Sequence, residues 1–152
     1  MLVAVLLLLT AAQEPSSQMT HHAAGTFEVK IVPQKPDNPP AEGAKLGRMS
    51  IDKQFSGDLA GTSLGEMLSV LNDSRTSGVY VAIERVTGTL QGHAGTFALH
   101  HMGLMKSGAP QLTITVVPDS GTGALAGITG SMVIKIEGGK HFYEFDYALP
   151  AH

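Results

Sequence analysis

Beyond residue 25 the chain alternates apolar and polar residues in short runs separated by glycines. Gln111-Leu112-Thr113-Ile114-Thr115-Val116, Met132-Val133-Ile134-Lys135-Ile136 and His141-Phe142-Tyr143-Glu144-Phe145-Asp146-Tyr147 each carry an apolar side chain at every second position. Successive side chains of a strand point to opposite faces, so this period of two predicts half-buried antiparallel strands. A first strand at Thr26–Val32 follows a polar tail (13–24) and stops at Pro33. The prolines at 33, 36, 39 and 40 cannot donate to a sheet ladder, which predicts an extended loop. Counting the segments between turns gives about eight strands, at 26–32, 46–55, 58–70, 79–90, 95–105, 111–117, 124–136 and 140–149. One segment has a rival reading. Ser63-Leu64-Gly65-Glu66 has the form of a helix capping box, and Leu64, Met67, Leu68 and Leu71 follow helical spacing. Gly65 weakens a helix there, and the strand is adopted.

A weak repeat paces these strands. Gly57-Asp58-Leu59-Ala60-Gly61, Gly88-Thr89-Leu90-Gln91-Gly92 and Gly123-Ala124-Leu125-Ala126-Gly127 share Gly-x-Leu-x-Gly, with starts 31 and 35 residues apart. That spacing is about two strands with their turns, so each copy marks the same kind of corner. The sequence therefore predicts an all-β protein: a single antiparallel β-barrel of about eight strands, whose closure removes exposed sheet edges.

Composition narrows the chemistry. The 152 residues are 43% hydrophobic and 15% charged, with 18 glycines, no cysteine, no tryptophan and a net charge of −3. That charge argues against nucleic acid as a partner, because phosphate binding draws on clustered Lys and Arg. The missing cysteines exclude disulfide scaffolds, thiol nucleophiles and Cys-type zinc sites. Residues 2–9 are all apolar, yet as a helix they would span about 12 Å of a ~30 Å bilayer core. No stable membrane anchor is expected. Small residues up to Ala12, with Pro15 beyond, fit a cleaved export signal, although no Lys or Arg precedes the apolar run. The competing reading makes residues 1–18 a spurious upstream extension of a cytoplasmic protein that starts at Met19. Either way the barrel domain is residues 19–152.

Several separated strings resemble one family: Gly25-Thr26-Phe27-Glu28-Val29-Lys30, Leu46-Gly47-Arg48-Met49-Ser50-Ile51-Asp52-Lys53, Ala82-Ile83-Glu84-Arg85-Val86-Thr87-Gly88-Thr89-Leu90, Val117-Pro118-Asp119-Ser120-Gly121-Thr122-Gly123 and Tyr143-Glu144-Phe145-Asp146-Tyr147. They are similar to the bacterial domain-of-unknown-function family 3224, over about residues 20–150. The resemblance implies a fold related to the allene oxide cyclase barrel, a start near Met19 and no assigned activity. Allene oxide cyclases close a fatty-acid-derived epoxide into a cyclopentenone inside an apolar barrel, without a cofactor. Extending that chemistry to this chain rests on fold analogy alone.

The residues themselves offer a short list of candidates. His101 shares a strand face with Phe97, Leu99 and Met105, which places an imidazole in an apolar interior. There it serves as a neutral base or hydrogen-bond donor, or as a core histidine bonded to a polar neighbour. Glu84 and Arg85 lie on a strand apolar on both faces, so alternation leaves open which of them points inward. An inward Glu84 with a raised pKa suits a general acid; the bland reading leaves it exposed or paired with a cross-strand cation. Tyr143 and Tyr147 share a face with Phe145 and line a pocket, or bond to backbone as core aromatics. Glu66 is a weaker pocket carboxylate, and Gln111 a polar candidate near a strand end.

No metal site is expected. His100 and His101 diverge to opposite faces and no HExxH is present, leaving only a site assembled from His93, His101 or His141 across strands. The glycine-rich run at 119–123 lacks a GK[ST] and reads as a hairpin turn. The sequence expectation is thus a barrel holding a small apolar ligand without a cofactor. Its sharper version is a cofactor-independent isomerase or cyclase using Glu84 and His101. The alternative is a structural or interaction barrel with a filled core. A homo-oligomer is compatible with either.

Overall fold

The period-two runs fold into eight antiparallel strands in a computed structural model that describes residues 18–39, 43 and 45–151. They are β1 (Thr20–Gln34), β2 (Lys45–Gly57), β3 (Leu59–Leu71), β4 (Gly78–Leu90), β5 (His93–Lys106), β6 (Ala109–Val116), β7 (Thr129–Glu137) and β8 (Lys140–Ala148). Each strand pairs with its neighbour in sequence, and β8 returns to β1 to close the barrel. The expected leader and its cleavage site lie outside the described residues. Among the described residues no helix is long and apolar enough to cross a membrane.

Two strand starts and one turn differ from the sequence expectation, and one strand in dispute holds. β1 starts at Thr20 rather than 26, because Thr20–Ala24 runs along β8 from Ala148 to Glu144. The rival helix at 63–72 is absent, and the segment is strand β3, as adopted. Its helical spacing arose from apolar residues on both strand faces: Met67 and Leu71 point inward, while Leu64 and Leu68 are exposed outside. The seventh strand begins only at Thr129. Gly123–Leu125 forms one turn of 3-10 helix, and the 119–123 run opens a connection reaching Ile128 rather than a tight hairpin.

The two ends of the barrel differ. The three Gly-x-Leu-x-Gly copies fall at the β2–β3, β4–β5 and β6–β7 connections, which all lie at one end. Leu59, Leu90 and Leu125 are each 0% exposed, a burial worth about 1.5–3 kcal/mol per side chain. Gly57, at φ 109°, supplies the left-handed corner before Leu59. Aromatic rings fill the space between them: Phe97 stacks on Phe145 (5.7 Å), Phe145 on Tyr147 (5.4 Å), and Phe55 meets Tyr143 edge-on (5.7 Å). This end is closed. At the same end the Val117–Ile128 connection covers β5, with Val117 N–H donating to Ala98 O (2.9 Å) and Thr122 N–H to Thr96 O (2.8 Å). Toward the other end β6 and β7 part, sharing the single ladder pair Thr115–Ser131 among the described residues.

Candidate functional site

Glu84, not Arg85, faces the interior of β4: Glu84 is 1% exposed, and Arg85 lies on the outer wall. A carboxylate so placed requires partners, since an unpaired buried charge is prohibitively costly. Three neighbouring strands supply them. Lys53 Nζ on β2 donates to Glu84 Oε1 at 2.7 Å, and His101 Nε2 on β5 to the same oxygen at 2.8 Å. Ser63 Oγ on β3 donates to Oε2 at 2.5 Å. The Lys53 ammonium also lies 5.0 Å from the Phe27 ring centre and 5.8 Å from that of Phe55, within cation–π range. Lys53, Ser63 and His101 are buried with Glu84, so the network is cut off from bulk water.

This network reverses the expected role of Glu84. Burial pushes its carboxyl up, but the His101 bond, the Lys53 charge and the Lys53 and Ser63 bonds together outweigh that effect. They hold the carboxyl at about 2. Near neutral pH Glu84 is an anion that accepts hydrogen bonds and has no proton to give, which excludes it as a resting general acid. Its bond to His101 instead fixes the imidazole with the proton on Nε2. In the neutral ring Nδ1 is then the acceptor. Among the described residues His101 Nδ1 has no hydrogen-bond partner.

The open end of the barrel holds an apolar cavity of about 320 Å³. Its inward walls come from Met49, Met67, Leu71, Tyr80, Met105 and Leu112, with Gly103 opposite Tyr80 across the β4–β5 ladder. A methyl group at 103 would run into the Tyr80 ring, so glycine there lets the ring lie flat across β5. Along β5 His101 is the next inward position below Gly103, and along β4 Glu84 follows Tyr80 and Ala82. The cavity therefore sits directly above the buried network. Burial and the Glu84 charge push the Tyr80 hydroxyl up, which keeps it protonated and able to donate. A second, broader recess of about 720 Å³ opens where β1 and β2 meet the β7–β8 turn. Charged and polar side chains (Glu28, Gln54, Lys140) line it alongside apolar ones.

The family model described as "Protein of unknown function (DUF3224)" matches residues 23–147. The chain belongs to the DUF3224 family. A crystal structure of a DUF3224-family protein of unknown function from Shewanella oneidensis MR-1 is similar to it at 43% identity, with a TM-score of 0.82. That match covers 88% of this chain and all (100%) of the other. No curated protein sequence matches. The closed eight-strand barrel is consistent with the resemblance to the allene oxide cyclase fold.

Within this DUF3224 barrel the candidate residues fall into separate places. Glu84 and His101 meet in the buried network, and Gln111 stands at the rim of the apolar cavity. Tyr143 and Tyr147 point inward but at the closed end. Tyr143 Oη accepts the Leu59 N–H at 2.8 Å, and Tyr147 Oη donates to Gln91 Oε1 at 2.7 Å. Both hydroxyls are thus engaged by the closed-end turns. Glu66 is not a pocket carboxylate. It shares the outer face with Leu64 and Leu68 and pairs with the Arg48 guanidinium at 3.1 Å. His93 bonds the Leu90 carbonyl and the His141 ring lies tilted against Phe27, each away from His101, and no three His, Asp or Glu converge among the described residues.

Five members of the candidate site were not found from the sequence: Lys53, Ser63, Tyr80, Met49 and Met67. For Lys53 a signal existed. Ile51, Lys53 and Phe55 occupy alternate positions, which puts the lysine on an apolar face and marks it as a buried cation in need of an anion.

Proposed function

We propose that this DUF3224 protein binds a small apolar ligand in the open end of its barrel. One observation carries the reading: an apolar cavity sits directly above a buried, charge-paired Lys53–Glu84–His101–Ser63 network. Its volume is at the small end of small-molecule sites, which are mostly apolar with a few convergent polar groups. Tyr80 supplies such a group. A ligand whose inner end carries a carbonyl or hydroxyl oxygen fits the cavity best, with the Tyr80 hydroxyl donating to that oxygen.

The Glu84–His101 pair favours a second, sharper reading, a cofactor-independent isomerase. A carboxylate that fixes the far proton of an imidazole leaves the other nitrogen as a base, the arrangement by which hydrolase triads orient their histidine. In this reading His101 Nδ1 moves a proton and Glu84 orients it. Tyr80 and Gly103 lie between the cavity and His101, so proton transfer to a cavity ligand requires the Tyr80 ring to turn aside.

The binding reading is tested by titrating the protein with N-phenyl-1-naphthylamine, a neutral apolar dye that brightens out of water. Saturable brightening is expected for the wild type. It should disappear in Met67→Trp, which fills the cavity, at an unchanged thermal midpoint. Brightening of equal size in both proteins overturns the cavity as the site.

A further inference from the structure

The lower wall of the apolar cavity carries donor atoms that apolar binding leaves unused. Ladder register sets Met49 on β2, Met67 on β3, Ala82 on β4 and His101 on β5 side by side in one row across the inner wall. Met49 and Met67 are direct partners, and both line the cavity. Met67 and His101 flank Ala82 and stand two strand spacings apart, about 10 Å. Ala82 brings only a methyl group, so its side chain does not fill the space between thioether and imidazole.

The imidazole is the decisive member of this row. His101 is 5% exposed. Its Nε2 is committed to Glu84, and its Nδ1 has no hydrogen-bond partner among the described residues. A polar atom left single in so buried a side chain is rare and calls for a partner. Glu84 pairs with Leu99, one inward position nearer the closed end than His101. The two nitrogens point to opposite sides of the ring, so an Nε2 turned down onto Glu84 turns Nδ1 toward the open end.

We propose that Met49, Met67 and His101 form a site for a soft monovalent metal ion, copper(I), at the floor of the cavity. Thioether sulfur together with imidazole nitrogen suits copper(I), whereas magnesium, calcium and manganese take oxygen. All three donors are neutral, so nothing in contact with the ion would balance a divalent charge, and the Glu84 anion is already paired with Lys53. Glu84 stands where a metal-bound histidine carries its outer carboxylate, which fixes the ring and its tautomer through the far nitrogen. Because Nδ1 bears no proton in that tautomer, binding releases none. Methionine is unbranched and adaptable, which lets both sulfurs swing over Ala82. The Tyr80 ring leaves that side clear, since it lies over β5 at Gly103. The site needs no organic ligand in the cavity above. It competes with proton transfer by His101, because an ion on Nδ1 takes the same lone pair.

Anaerobic titration of the full chain with tetrakis(acetonitrile)copper(I), against bicinchoninate as competing chelator, tests the site. Uptake of one ion per chain is expected. Met49→Leu/Met67→Leu should lose it, since leucine conserves volume and removes both sulfurs. Met102→Leu, on the outer wall, should keep it. Nitrogen NMR of the histidine rings gives a readout in the unmutated protein: copper(I) should move His101 Nδ1 most and leave Nε2 protonated. It also separates this site from the exposed His21 and His22 near the start of β1. No uptake, equal uptake in the double variant, or copper shifts confined to His21 and His22 overturns the proposal. So does zinc that moves the His101 ring as far as copper(I) does.

Discussion

Replacing Glu84 by glutamine removes the one anion that holds three strands' polar side chains together. The amide keeps the size of the side chain and can still accept from Ser63 or His101, but the Lys53 ammonium is left buried without a counter-charge. The magnitude follows from the carboxyl itself. Its displacement from 4.5 to about 2 corresponds to about 3 kcal/mol at about 1.4 kcal/mol per unit, within the range for breaking a buried ion pair. A depressed carboxyl adds stability that is complete above its unfolded-state value of 4.5 and is lost as pH falls through about 2. Wild type should therefore exceed Glu84→Gln by about 3 kcal/mol at pH 7. The gap should hold down to about pH 5 and shrink almost to nothing near pH 2. Urea unfolding followed by far-ultraviolet circular dichroism suits this chain, which has no tryptophan. Other carboxylates titrate alike in both proteins, so the difference isolates Glu84. A gap that stays constant from pH 7 to pH 2.5, or one below about 0.5 kcal/mol at pH 7, would refute the ionised network.

Other substitutions probe its partners and the two ends of the barrel. Lys53→Met should cost about 3 kcal/mol alone, and combined with Glu84→Gln the total should fall short of the sum by about 1–3 kcal/mol; a double-mutant cycle in urea checks the coupling. Gly103→Ala should displace the Tyr80 ring at a cost of about 1–3 kcal/mol, read as a lower thermal midpoint together with altered dye binding. Tyr143→Phe should cost about 1–3 kcal/mol, because the Leu59 N–H loses its acceptor at the closed end; hydrogen exchange at Leu59 should accelerate with it.

Alternation and glycine spacing carried the architecture because both are local. Leu59, Leu90 and Leu125 recur in one motif, and all three close the same end. The limits were equally physical. Glu84 and Arg85 could not be told apart because Val79, Val81 and Ile83 make the outer face of β4 as apolar as the inner one. The same outer apolar residues on β3 imitated a helix at 63–72. Glu66 was misplaced for that reason too, since two exposed leucines flank it. The sign of the Glu84 displacement was out of reach, because Lys53 and His101 lie 31 and 17 residues away and only register brings them to one oxygen. Lys53 alone was readable, from its place between Ile51 and Phe55. Tyr80 as a cavity wall depended on a glycine 23 residues on, at 103.

Native mass spectrometry of the protein purified from its own host reads the occupancy of the cavity. A population carrying one small, apolar, non-covalent adduct per chain is expected, released on denaturation and absent from Met67→Trp prepared in the same way. A spectrum of bare chain alone, in a protein whose cavity also takes up no apolar dye, would contradict a ligand-binding barrel and favour a structural one.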